Sequence, residues 1–242
     1  MTQPSGSSAP DFKRPFRVPK TPRTTARPKP YSARAALSIH KKPFESSGHR
    51  PILSAHPGNN ADLLPHILEL YVPEGSKVAD VTWGKGAFWT KTDTTKYDLR
   101  PTDLLTGVDF RKLPYKPSSI DCLILDPPYM HGGPTIKASL NDCYHNANTG
   151  HESVIRLYAG GLLEAARVLR KKGICIVKCQ DETESGKQCF SHVELIKLLE
   201  MFGFAVVDLF VMVQNTIPIM GKGPQKSARK NHSYALVARF RR

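Results

Sequence analysis

A carboxylate, two prolines and an aromatic ring stand together at Asp126-Pro127-Pro128-Tyr129, directly after the apolar run Ile120-Asp121-Cys122-Leu123-Ile124-Leu125. A carboxylate, a rigid bend and a ring placed beyond a strand can hold and stack a planar, amine-bearing substrate. Taken alone, the four residues equally suit a plain strand-ending turn, because neither proline can donate to a sheet ladder. A second constellation lies upstream, where Asp80-Val81-Thr82-Trp83-Gly84-Lys85-Gly86 puts an acidic residue and then Gly-x-Gly after a short apolar stretch. Glycines there let the backbone turn sharply and approach a ligand closely. Asp103 follows Asp80 by 23 residues and Asp126 follows it by 46. An acidic residue at the end of the second strand is the usual partner of ribose hydroxyls. No Gly-Lys-Ser/Thr is present, which disfavours a phosphate-binding NTPase loop. Trp89 stands where nicotinamide enzymes carry their third glycine.

These residues need a parallel sheet to bring them to one rim, since ligands of open α/β sheets bind beyond the carboxyl ends of the strands. The sequence predicts strands at Lys77–Val81, Tyr97–Thr102, Gly107–Phe110, Ile120–Leu125, Gly173–Lys178, Phe204–Val213 and Ser233–Phe240. Between them it predicts a helix through Leu63–Leu70, capped by Asn60 or Asp62 with Pro65 in its first turn. A second helix runs from Ser153 to Arg170 with Ile155, Tyr158, Leu162, Leu163, Ala166 and Leu169 on one face, closed by Lys171-Lys172-Gly173. A third covers His192–Met201. Alternating strand and helix indicate an α/β fold with a mostly parallel, seven-stranded sheet and helices on both faces. Met130–Gly150 is a long polar stretch without period, of the kind usually tied to function or disorder.

Charge is unevenly spread along the 242 residues. The net charge is +14, and residues 1–50 supply +9 of it, with eleven Lys or Arg against Asp11 and Glu45. Eight prolines and no apolar period mark residues 1–50 as a disordered basic arm, leaving 51–242 as the folded domain. From Asn215 to the end there is no acidic residue. Basic flanks of this kind suit a counterion-releasing grip on nucleic-acid phosphates, against the blander role of a solubilising tail. Five cysteines without close pairing fit reduced thiols in a cytoplasmic setting. Cys175 and Cys179 have poor zinc spacing and suit buried apolar positions. His131 and His145 read as loop polar groups, so no metal is expected. No run reaches membrane-spanning length.

Over about residues 52–242 the chain resembles the S-adenosylmethionine-dependent DNA amino-methyltransferases. The carriers of the likeness are His56-Pro57 before the first helix, Asp80 to Gly86 as the cofactor loop and Asp126 to Tyr129 as the catalytic motif. Glu164–Gly173 before the fifth strand and His232-Ser233-Tyr234 opening the last strand add to it. The resemblance implies a Rossmann-like methyltransferase fold and S-adenosyl-L-methionine as cofactor. Asp80, Thr82, Trp83, Gly84, Gly86, Asp103 and Asp109 would bind that cofactor, with Asp103 toward the ribose and Asp109 toward the adenine amine. Asp126, Pro127, Pro128 and Tyr129 would act on a base flipped out of DNA, as in restriction-modification methylation. Two departures stand out: Thr82 replaces the family's usual Phe, and Lys85 replaces a small residue. Asp in the first motif position goes in the family with adenine N6 and Ser with cytosine N4. The alternatives are a cytosine N4 or RNA-base methyltransferase, or a non-catalytic nucleic-acid-binding protein on the same fold. Lys178 and Gln180-Asp181-Glu182 fall on the same rim and read either as nucleic-acid contacts or as ordinary surface.

Overall fold

The computed structural model describes residues 51–128, 150–214 and 227–241. Tyr129, the stretch 130–149, the arm 1–50, residues 215–226 and Arg242 lie outside the described residues.

Seven strands form one sheet. In chain order they are β1 (Ala55–Pro57), β2 (Lys77–Asp80), β3 (Asp98–Pro101), β4 (Ile120–Leu125), β5 (Leu169–Cys179), β8 (Phe204–Val213) and β9 (His232–Phe240). A small hairpin, β6 (Glu182–Glu184) and β7 (Lys187–Cys189), stands apart. The spatial order is β1-β8-β9-β5-β4-β2-β3. All neighbours run parallel except β9, which is antiparallel to both β5 and β8. Helix α1 (Asn60–Tyr71) lies on one face, and α2 (His151–Val168) and α3 (Ser191–Met201) on the other.

Two apolar layers follow from strand alternation. Cys122 and Ile124 of β4, with Val78, Ile174, Ile176 and Val237, pack under Leu63, Leu64, Ile67 and Leu68 of α1. Leu123 and Leu125, with Cys175, Val177, Cys179 and Leu236, pack under Leu157, Tyr158 and Leu162 of α2 and Leu195 and Leu199 of α3. The architecture is Rossmann-like α/β. Cys175 and Cys179 take the buried apolar role expected of them.

The strand count matches the expectation, but the membership differs. Gly107–Phe110 is not a strand. Asp103 caps a 3-10 turn over Leu104–Thr106, Gly107 closes it at φ 82, and Asp109 accepts from the Arg111 amide, so the segment coils. Phe110 still reaches the core. Its place in the count goes to β1, where Ala55-His56-Pro57 pairs with Val211-Met212-Val213 at a sheet edge that tolerates proline. Helix α1 begins earlier than expected, because Asn59 is the cap and Asp62 completes a reciprocal capping box. Pro65 therefore sits in the second turn. The buried face of α1 compensates for the backbone bond that proline removes. Helix α2 stops at Val168 rather than at the basic run. Leu169 is wholly buried and already pairs with Ile120, and the register shift before Cys122↔Ile174 absorbs Lys172 at φ 66.

Candidate active site

From β2 the chain moves to β3 on one side, and β4 then lies on the other side of β2. This reversal of winding opens a crevice at the carboxyl ends of β2 and β4, the position where open α/β sheets bind ligands. Asp80 ends β2, and Asp126 follows the last residue of β4.

Asp80 is 3% exposed, and both of its oxygens are occupied. Oδ2 accepts from the Trp89 indole Nε1 at 2.8 Å and Oδ1 from the Thr82 amide at 3.1 Å. Burial nevertheless pushes its pKa up to about 6, against the pull of those donors. Asp103 performs the matching task across the loop, with Oδ2 accepting from the Gly84 amide at 2.9 Å and Oδ1 from the Leu105 amide at 2.9 Å. The two acids thus pin the glycine loop from both sides. Gly84 at φ 55 is exposed, with open space where a side chain would stand; Gly86 at φ 70 is buried beneath the Trp83 ring. Trp83 folds back over its own loop and tilts against Trp89, with ring centroids 6.2 Å apart.

Thr82 joins the two halves of the site. Its Oγ1 accepts from the Asp126 backbone amide at 2.8 Å, and the same hydroxyl is a hydrogen-bond partner of Asp80. A phenylalanine, usual at this position in the methyltransferases that the sequence resembles, could make neither bond. The departure noted in the sequence therefore has a structural use: it fastens the glycine loop to the Asp-Pro-Pro motif.

Asp126 contrasts with Asp80. Its Oδ1 is buried and has no hydrogen-bond partner among the described residues. Burial raises its pKa to about 7, with Lys178 working in the opposite direction and Asp80 adding to the rise. Buried polar atoms are nearly always satisfied, so an orphaned acceptor at the mouth of the crevice is a place where a donor can bind. Pro127 is buried behind it and Pro128 half-buried.

Asp80, Thr82, Trp83, Gly84, Gly86, Asp103 and Asp126 form one connected cluster. Asp109 does not join it through any hydrogen bond; the Arg111 guanidinium and amide take its carboxylate, the guanidinium at 2.6 Å, and hold its pKa down. In this structure Asp109 is an ion-paired turn residue. Three other residues matter more than their sequence positions suggested. Trp89 had drawn notice only as a missing glycine. Asp181 is buried and accepts from His192 Nδ1 at 2.7 Å and Tyr234 Oη at 3.3 Å. Lys178 is 3% exposed, which rules out the ordinary-surface reading. The available signal was parity: Lys178 falls on the same face of β5 as Ile174 and Ile176.

No family model and no curated protein matches the chain. Among solved structures it is similar to a candidate DNA modification methylase from Thermus thermophilus, at 16% identity and a TM-score of 0.39, covering 55% of this chain and 52% of that one. This chain thus spans about half the length of that protein. It is also similar to the 1,6-didemethyltoxoflavin-N1-methyltransferase of Burkholderia thailandensis, at 15% identity and TM-score 0.49 over 76% and 79% of the two chains. An S-adenosylmethionine-dependent methyltransferase from Methanosarcina mazei gives 10%, 0.40, 72% and 97% for the same quantities. The fold assignment stands on the strand order, and the chemistry must be argued from the site.

Proposed function

We propose that this chain transfers a methyl group from S-adenosyl-L-methionine to the exocyclic amine of a base in DNA, with adenine N6 as the acceptor. The observation that carries the reading is the buried, unpartnered Asp126 Oδ1 at the switch-point crevice, tied through Thr82 to the glycine loop. The loop fits the cofactor: it is pinned by two carboxylates, and Gly84 leaves its outer side open to a close-lying ligand. Asp80 to Gly86 and Asp103 would hold the cofactor, which supplies an electrophilic sulfonium methyl. The stretch of basic residues in the arm 1–50 supports a polyanionic substrate.

The amine lone pair of adenine is delocalised into the ring, so the nitrogen is a weak nucleophile. Asp126 Oδ1 and the Pro127 carbonyl accept the two amine hydrogens and favour a tetrahedral nitrogen whose lone pair points at the methyl donor. With the cofactor bound, its methyl would pass from sulfur to the nitrogen, which would then give up one hydrogen as a proton, first to Asp126 and then to solvent. Fixed acceptors need no reorganisation during transfer, so positioning and electrostatics lower the barrier. Asp in the first motif position, as in the adenine-N6 members of the family the sequence resembles, favours adenine over cytosine. Tyr129 would stack on the flipped base.

Incubating DNA and RNA with the protein and isotopically labelled cofactor, then resolving nucleosides by mass spectrometry, tests the base and the polymer together. The expected product is N6-methyladenine in DNA. Asp126→Ala is expected to lower transfer by at least about a hundredfold while calorimetry shows cofactor affinity nearly unchanged. Retention of activity by that variant would remove Asp126 from the reaction.

A further inference from the structure

Lys178 is buried at the rim of the candidate site, and neither the fold nor the proposed transfer accounts for it. Leu125 of β4 pairs with Val177 of β5, so the next residues along each strand, Asp126 and Lys178, are neighbours across the sheet. Alternation places both side chains on the face that carries Ile124 and Ile176. Ser233 of β9 faces the same way, two residues before Ala235, the register partner of Lys178. Asp80, two strands from Lys178, pairs with Ile124 and shares that face too. The rim formed by the carboxyl ends of β2, β4 and β5 and the amino end of antiparallel β9 therefore carries the row Asp80, Asp126, Lys178, Ser233.

Lys178 is fixed from both ends. Its ammonium donates to Ser233 Oγ, and its backbone carbonyl accepts from Tyr158 Oη at 2.5 Å. Helix α1 turns Leu63, Leu64, Ile67 and Leu68 to this face and brings no countercharge. Among the described residues, Lys178 and Asp80 act on Asp126, Asp126 and the Cys179 thiol are among the groups that act on Lys178, and Asp103 acts on Asp80. A buried ammonium is costly unless a countercharge answers it, and packing alone would be served as well by methionine. Asp126 is the carboxylate beside it.

We propose that Lys178 is the positioning residue of the transfer: held by Ser233, its ammonium keeps Asp126 a carboxylate with Oδ1 available to an amine. The inference rests on the proposed function for its catalytic meaning, while the coupling of the two side chains stands without it. Asp80, on the other side of Asp126, opposes ionisation, so without Lys178 the motif would hold a protonated acid. Such an acid would present a hydroxyl donor where the amine also donates.

The test compares the full-length wild type with Lys178→Met, Lys178→Arg and Ser233→Ala. Two quantities are read: the titration of Asp126 by carbon NMR of aspartate-labelled protein, assigned with Asp126→Asn, and the pH profile of single-turnover transfer to adenine-containing duplex DNA. Lys178→Met is expected to move the Asp126 titration and the acid limb of the profile upward by about one pH unit or more. That is about a fivefold loss of rate at neutral pH, approaching about tenfold in acid and closing toward wild type in alkaline buffer. Lys178→Arg should restore most of the wild-type profile, and Ser233→Ala should shift it in the same direction as Lys178→Met but less. Should Lys178→Met fail to fold, Ser233→Ala carries the same prediction through the anchor. An unchanged Asp126 titration in the folded variants, or a rate loss equal at every pH, would overturn the proposal. If the wild type modifies no base yet the titration shifts as described, the coupling stands and the proposed function falls.

Discussion

Asp80 and Asp126 show how a buried and a half-buried carboxylate of one sheet edge come to different uses. Asp80 has a donor for each oxygen and acts as an internal pillar under the glycine loop, whereas Asp126 keeps one oxygen in reserve. The indole of Trp89 is the nearer of the two N–H donors to Asp80. Trp89→Phe keeps an aromatic ring and removes that donor. Losing one partner of a buried group costs about 1–3 kcal/mol, and urea unfolding should show this. The indole bond favours the charged form of Asp80. The loss should therefore be larger above pH 6, where Asp80 ionises in the folded chain, than in acid, where it is protonated. A penalty independent of pH would mean that the indole is valued for packing alone. None of this pairing was legible locally, because Asp80 and Trp89 are joined by a loop whose course the sequence left open.

At the scale of elements, the glycine loop separates two glycines that look equivalent in the sequence. Both adopt positive φ, but a methyl group at Gly84 would meet nothing within 4 Å, while one at Gly86 would lie 2.6 Å from Trp83 Cζ2. Gly84→Ala should therefore lose only the left-handed backbone preference, about 1–2 kcal/mol. Gly86→Ala must in addition displace the Trp83 ring from its place against Trp89. The expectation is a clearly lower urea midpoint and a larger loss of S-adenosyl-L-methionine affinity by calorimetry for Gly86→Ala. Equal effects would show that the Trp83 lid has no part in shaping the loop. The strands Ile120–Leu125 and Phe204–Val213 were legible to the residue, since each is a dense apolar run bounded by residues that end pairing. Helix α2 was overextended, because Leu169 fits the helical period of the sequence as well as it fits the sheet.

For the molecule as a whole, the distribution of buried charge sets the response to pH. His151, the first residue of α2, faces Glu182 of the β6–β7 hairpin at 2.8 Å through Nδ1 and Glu194 of α3 at 2.9 Å through Nε2. Burial works to lower its pKa, yet the two glutamates together hold it above the ordinary value. A base raised in this way stabilises the fold fully below its unfolded pKa of about 6.5, and the contribution is lost as pH rises through the folded value. Asp80 and Asp126, raised to about 6 and about 7, act in the same direction: each is best tolerated protonated, and its cost grows as pH rises from the ordinary carboxylate range up to its folded value, above which it is constant. Asp109 and Glu164 are held low by Arg111 and Arg167, so their stabilisation is lost in acid. Stability should accordingly peak in mildly acidic buffer and fall from about pH 5 to about pH 8. Asp126→Asn should raise the unfolding free energy obtained from urea titration by about 1 kcal/mol or more at the alkaline end and change it little at the acidic end. His151→Gln should remove part of the slope. A midpoint that rises with pH would contradict this account of the buried charges.

The sequence by itself determined the class of fold and the two motifs. Alternation and helical periodicity are local, and so are the glycine turn after Asp80 and the proline stop after Leu125. It could not decide which side chains each motif meets, because those meetings depend on strand order and register. Only the tertiary structure put Thr82 against the Asp126 amide, closed Asp103 onto Gly84 and turned Asp109 aside to Arg111. Only the pairing of β4 with β5 laid Lys178 beside Asp126. In a parallel sheet, residues tens of positions apart become neighbours when their strands pair, and a one-residue change of register would have sent Lys178 to the opposite face.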